Sequence, residues 1–362
     1  MKTAESRKEK KVYIEMIRII AMILVIYNHL PGYLMFVNTE GIKQAVYMYL
    51  TMVTRINVPL FFMISGALLL RKEEDYPVVL RKRVLRLLIV IILFNGLLLL
   101  YQALAVGTEG MSFHKIVRQM MAGKVWGSGS YWFMYAYLGM LLTLPFLQRI
   151  AAGMKKTDFA VLTVLRFLLE SLLPVVNLFL AFHGMKALRP AGKFSIPFIT
   201  ISAFFYPLAG YYLDEHVDIR EMKKKHIFFL IITATAGILI SCRCTYREAV
   251  FSGEFSQNYV HLFDYVSAFA AFLLIKYLME VKYPRLSEGK VRDMICFAGS
   301  LTFGIYLVNP FLKLLFFETF KVHTVSVLRG QLLSFVWILI SVPVCGVITY
   351  LLKKLPGFRK LL

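Results

Sequence analysis

Apolar runs of about twenty residues recur along the whole chain, separated by short charged segments, and few folds can accommodate that pattern. Inside hydrocarbon every backbone polar group must be satisfied internally, so runs of this length are read as helices packed into a bundle. The runs fall near 12–34, 44–70, 84–105, 131–149, 158–180, 194–213, 227–242, 259–279, 293–317 and 329–352. They predict an all-α polytopic fold that crosses the bilayer about ten times. Composition agrees, since 59% of the residues are hydrophobic and mean hydropathy is +0.66. The seventh run spans only 16 residues, Ile227 to Cys242, and needs snorkelling ends such as Lys225 and Arg243, or local thinning, to cross.

Charge assigns the orientation. Lys and Arg accumulate in cytoplasmic connections, and alternate connections here carry 27 against 12, with Arg18, Arg166 and Lys313 inside runs. Both termini are therefore expected in the cytoplasm, as a segment 1–11 and a tail 353–362 flanking one membrane domain, 12–352. The net charge of +21 would suggest nucleic acid as a partner for a soluble protein, whereas here it follows from topology and membrane lipid is the expected partner. The first run follows Lys8, Lys10 and Lys11 as a signal peptide would, but it is too long and holds Glu15 and Arg18. It is expected to remain as the first helix.

Cys242, Cys244, Cys296 and Cys345 are dispersed, and the seven histidines lack a clustered ligand spacing, so neither a disulfide framework nor a metal site is predicted. No connection exceeds about 25 residues, which leaves chemistry to helices and short loops. Ionisable groups inside apolar spans are costly and face an interior cavity or a partner. Those groups are Glu15, Arg18, His29, Arg55, Arg166, Glu170, Asp264 and Lys313.

Arg18 and His29 lie eleven residues apart, so they share one helical stripe, separated by a rise of about 16 Å. Glu15 sits close to that stripe and is read as the ion partner that makes Arg18 tolerable. His29 is suited to accept a proton near neutral pH, as a hydroxyl acceptor attacking an acyl carbonyl requires, although packing by hydrogen bonding would equally place a histidine here. Arg83 and Arg86 share a face at the start of the third run, where two guanidinium forks suit phosphates and would also anchor to anionic lipid heads. Arg166 and Glu170 are read as a structural pair without chemistry.

Several phrases in order resemble the acyltransferase-3 family of membrane O-acyltransferases. Arg18-(ten residues)-His29 is similar to its Arg-x10-His signature, and Arg83-Val84-Leu85-Arg86 to its Arg-x-x-Arg signature. Arg55-Ile56-Asn57-Val58-Pro59 through Ser65-Gly66 resembles the approach to its Ser-Gly motif, and Tyr131-Trp132-Phe133-Met134-Tyr135 its aromatic opening of helix four. Phe303-Gly304-Ile305-Tyr306-Leu307-Val308-Asn309-Pro310 is similar to its Gly-Ile-Tyr-x-x-His-Pro phrase, with Asn309 where many members carry histidine. Asparagine hydrogen-bonds but cannot shuttle a proton. Within the family the chain is most similar to the single-domain enterobacterial common antigen O-acetyltransferase type.

The resemblance implies transfer of an acyl group, usually acetyl from cytoplasmic acetyl-CoA, to a hydroxyl of a cell-envelope glycan or its lipid-linked precursor, in a bacterial plasma membrane. By position it implies His29 as catalytic base, with Arg18, Arg83 and Arg86 engaging the donor. Arg55, Asn57, Ser65 and Asn309 are expected as supporting or acceptor-side groups, with Ser65 read as a packing and positioning residue. The alternative function is a transporter or flippase of a lipid-linked sugar, which would also need proline-broken helices and buried charge. No internal repeat between the halves supports it.

Overall fold

The computed structural model describes residues 11–30, 41–107, 112–189, 194, 196–253, 258–315 and 327–362, and among these it contains helices and no strands. Residues 1–10 of the expected N-terminal segment, and the far ends of the first and ninth expected spans, lie outside that set. Every expected span coincides with a helix or a broken helix. The first is α1, Val12–Asn28. The second divides at Arg55-Ile56 into α2, Gly41–Thr54, and α3, Asn57–Leu69. The third is α4, Tyr76–Ala105.

After the short helix α5, Phe113–Met121, the fourth span breaks at Thr143 into α6, Trp132–Leu142, and α7, Leu144–Gly153. Pro145 stands in the first turn of α7, where a missing N–H costs nothing. It therefore begins the second piece. The fifth span is α8, Lys156–Phe182, and the sixth breaks at Ile201, between a turn of helix at Pro197–Thr200 and α9, Ser202–Glu215.

The seventh run is part of a longer helix, α10, Lys224–Ser252, whose 29 residues also include Lys225 and Arg243. Hydropathy ends at Cys242, but Arg243, Arg247 and Glu248 are good helix formers, so the backbone continues through them. The remaining helices are α11, Asp264–Tyr277; α12, Gly289–Leu315; α13, Val327–Leu352; and α14, Pro356–Leu361. Among the described residues six stretches are long and apolar enough to cross a bilayer by themselves: α2 with α3, α4, α8, α10, α12 and most of α13. The chain is a polytopic helical protein.

Burial separates a centre from a periphery. In α1 the side chains of Tyr13, Ile14, Ile17, Ala21 and Met22 are fully buried, and α1 packs against α3 and α12. By contrast only 11% of the apolar window of α8 is buried, so most of its surface is left for lipid. The tightest crossing joins α3 to α9. A Cβ at Gly66 would sit 1.9 Å from the Pro207 carbonyl oxygen, and one at Gly210 would sit 2.1 Å from that of Met63. Reciprocal glycines thus let the two backbones touch.

One end of the bundle is tied by charge. The Asp214 carboxylate, with no exposed surface, takes Lys11 at 2.9 Å and Lys276 at 3.3 Å, together with Arg71 and the Tyr13 hydroxyl. This knot joins the starts or ends of α1, α3, α9 and α11. Asp264 is twelve residues before Lys276 on α11, and so lies about 18 Å away toward the opposite end.

Candidate active site

A cavity of 1410 Å³ runs between the helices, and nearly every residue singled out from the sequence opens onto it. At the end near the charge knot it is lined by Lys82, Arg83 and Arg86 from the start of α4, and by Leu361 and Leu362 at the end of α14. Arg18 and Ser65 follow along the wall. The far end holds His29, Arg55, Asn57, Glu170, His261 and Asp264. Asn309 is set apart from this cavity, as are Glu15 and Lys313. Asn309 lines an adjoining cavity of 60 Å³ whose wall also includes His29, Tyr306 and Lys313, so His29 stands between the two spaces.

Local structure explains how each group arrives. Arg18 pairs with Glu15 at 2.7 Å within α1, and Gly299 of α12 leaves room for that carboxylate, since a Cβ there would meet Glu Oε2 at 2.2 Å. His29 closes the C-terminus of α1, where the last carbonyls lack helical partners. Lys313 of α12 supplies one, donating from Nζ to the His29 carbonyl oxygen. Asn28 donates to Thr54 O at 3.4 Å, which sets the end of α1 beside the Arg55 turn. Ser65 donates its hydroxyl to Phe61 O at 2.7 Å, and Asn57 accepts from the Val58 N–H at 2.6 Å at the start of α3.

The arginine end differs from the sequence expectation in one respect: both forks are engaged by the chain itself. Arg83 donates from Nε and Nη to the two Glu74 oxygens at 2.7 and 2.8 Å. The Arg83 guanidinium holds the Glu74 carboxyl below the usual carboxylate range. Arg86 donates from Nε and Nη2 to the Leu361 carbonyl at 3.2 and 3.1 Å, docking α14 over this end of the cavity. A π-helical turn, Leu80–Val84, carries Arg83 and breaks the regular register of α4.

The far end holds the groups that sequence reasoning left without a role. Arg166 is not paired with Glu170 as expected. Its carboxylate partner is Asp264, at 3.8 Å, and it also donates to Ile199 O and to the Tyr206 hydroxyl at 3.2 Å. Rings of Phe205, Tyr206 and Tyr265 surround the guanidinium at 4.4, 5.0 and 5.6 Å. Asp264 further accepts from the Tyr206 hydroxyl at 2.7 Å and faces His261 Nδ1 at 3.3 Å. The broken helix before α9 makes this possible, because it frees the Ile199 carbonyl for Arg166. No spacing rule signals such a contact between separate helices.

Two of the family-like phrases hold each other in place. The Tyr131 hydroxyl donates to Leu307 O, and the Tyr306 hydroxyl donates to Ser130 O at 2.6 Å. The aromatic opening of α6 is thereby bolted to the Gly-Ile-Tyr phrase of α12.

Fold and cavity together define a membrane-embedded helical bundle with a basic-ended cavity that has His29 and His261 in the wall of its far end. The acyltransferase-3 family profile, an acyltransferase domain, matches residues 11–353. The chain belongs to that family and is an integral-membrane acyltransferase. No curated relative and no solved structure matches it.

Proposed function

We propose that this protein transfers acetyl from cytoplasmic acetyl-CoA to a hydroxyl of a cell-envelope glycan or its lipid-linked precursor, in a bacterial plasma membrane. The observation that carries this reading is that Arg83, Arg86, Arg18 and His29 all open onto one continuous cavity. The basic end receives the donor phosphates, which take over acceptor positions now filled by Glu74 and Leu361. The acyl arm then extends along the Arg18 wall toward His29. The low-dielectric surroundings strengthen each of these charged contacts.

In the transfer step, the acceptor oxygen attacks the thioester carbonyl while His29 takes its proton. Collapse of the tetrahedral intermediate breaks the C–S bond. The CoA sulfur leaves with the electron pair and recovers the proton from the imidazolium, which returns His29 to its starting state. Lys313 fixes the histidine backbone, and Ser65, Asn57 and Arg55 line the path to it.

Incubating detergent-solubilised protein with radiolabelled acetyl-CoA and an envelope glycan extract tests the proposal. Label is expected to enter glycan with wild type and to stay in acetyl-CoA with His29→Ala. Equal labelling by a well-folded His29→Ala protein overturns the base assignment.

A further inference from the structure

Glu170 is one of the charged cavity residues that the mechanism above does not use. It lies on α8, the helix with the least buried apolar window, and yet its half-buried side chain opens onto the cavity. Among the described residues no hydrogen bond or ion pair holds its carboxylate, because Arg166, one turn away, is committed to Ile199, Tyr206 and Asp264. An ionisable group within a membrane span without a fixed partner is expensive, and function is its usual justification. A π-helical segment, Phe167–Leu172, surrounds it and shifts its register on the helix. Such segments concentrate at functional sites.

Glu170 has polar company. Thr200, Ile201 and Ser202, at the break before α9, line the same cavity, and no side chain caps the first N–H groups of that helix. His261 lines it too, from a largely exposed position, with its Nδ1 facing Asp264. These groups offer hydrogen-bond acceptors and donors around one space.

Charge balance selects the ligand. Of the charged groups that line the large cavity at this end, Arg55 and Arg166 are matched by Asp264 and Glu170, while Lys313 stands in the adjoining small cavity and is engaged by the His29 carbonyl; at the donor end Lys82, Arg83, Arg86 and Arg18 face Glu74 and Glu15. A cation would meet the two guanidinium groups, and an anion the two carboxylates. A neutral molecule rich in hydroxyls meets neither penalty and satisfies a free carboxylate through O–H donors.

Resting on the acyl-transfer reading, we propose that Glu170, with His261 and the Thr200–Ser202 break, forms the acceptor site and binds an uncharged, polyhydroxylated sugar unit. Glu170 is thus a specificity-determining residue and takes no proton in the reaction.

The experiment uses the full chain in detergent, radiolabelled acetyl-CoA and a bacterial envelope glycan extract. Labelled sugars are released from any lipid phosphate by mild acid and resolved into neutral and acidic pools by anion exchange. Wild type is expected to label the neutral pool. Glu170→Ala should raise the half-saturating extract concentration about tenfold, with the maximal rate and acetyl-CoA affinity held within about threefold. Glu170→Gln, which keeps a carbonyl acceptor, should fall between the two. Label in the acidic pool, or an unchanged half-saturating concentration in Glu170→Ala, overturns the acceptor site while leaving acyl transfer intact. Absence of label in both pools with wild type removes both readings.

Discussion

The two ends of the cavity solve the same electrostatic problem in opposite ways. At the Arg83–Arg86 end the cations outnumber the carboxylates, and each fork is occupied by a local acceptor, Glu74 or the Leu361 carbonyl. At the His29 end the cavity-lining Arg55 and Arg166 equal Asp264 and Glu170 in number, Arg166 is locked into a box of aromatic rings and Asp264, and among the described residues no hydrogen bond or ion pair holds Glu170. A basic end with exchangeable partners suits an anionic donor that arrives and leaves. A balanced end with one unengaged carboxylate suits a neutral acceptor. Charge in a membrane bundle is thus informative through what it is paired with, more than through its presence.

The contrast can be broken at several points. The largest effect is expected for His29→Ala, where loss of a general base lowers the transfer rate by about 10²- to 10⁴-fold with donor affinity retained, as read by single-turnover label transfer. If donor affinity falls as steeply as rate, the two ends are not separable. Next comes Arg83→Ala combined with Arg86→Ala. Loss of two charge-assisted contacts should weaken acetyl-CoA binding by about 100-fold in an equilibrium titration, without changing which glycan is labelled.

Stability should divide the ends as well. Asp264→Asn leaves the buried Arg166 guanidinium without its counter-charge and is expected to cost about 3 kcal/mol in thermal unfolding. Glu74→Gln, at a partly exposed pair, should cost at most about 1 kcal/mol and tighten acetyl-CoA binding up to about fivefold, because Arg83 no longer has a competing carboxylate. The Glu74 carboxyl is depressed in the folded protein, so its pairing is present above the unfolded value of about 4.3 and is lost only as pH falls through the lower folded value. The ratio of donor affinities between Glu74→Gln and wild type should therefore stay constant from pH 5 to 8, and a change within that window would show that another group controls Arg83.

Much of the fold was legible because helices in lipid announce themselves by length and polarity. What escaped was the behaviour of helix ends and breaks. The run ending at Cys242 continues to Ser252 because arginine and glutamate stop hydropathy without stopping a helix. The break at Ile201 and the π-helical turns holding Arg83 and Glu170 follow from packing and leave no period to read. The same limit explains the Arg166 error. One-turn spacing made Glu170 the natural partner, but Asp264, nearly a hundred residues later, is closer in space and was noted only as an ionisable group in a span.

The sequence by itself determined that this protein is an all-helical membrane bundle, because uninterrupted apolar runs admit no other way to satisfy the backbone in hydrocarbon. Helical periodicity also predicted a shared stripe for Arg18 and His29, and both open onto the cavity, Arg18 from within α1 and His29 from the residue that caps it. Only the tertiary structure decided which arginines are already engaged and which carboxylate is not. Those outcomes depend on distances between residues remote in the chain, such as Arg86 to Leu361 and Arg166 to Asp264, which are set by how glycine-lined backbones such as α3 and α9 come into contact.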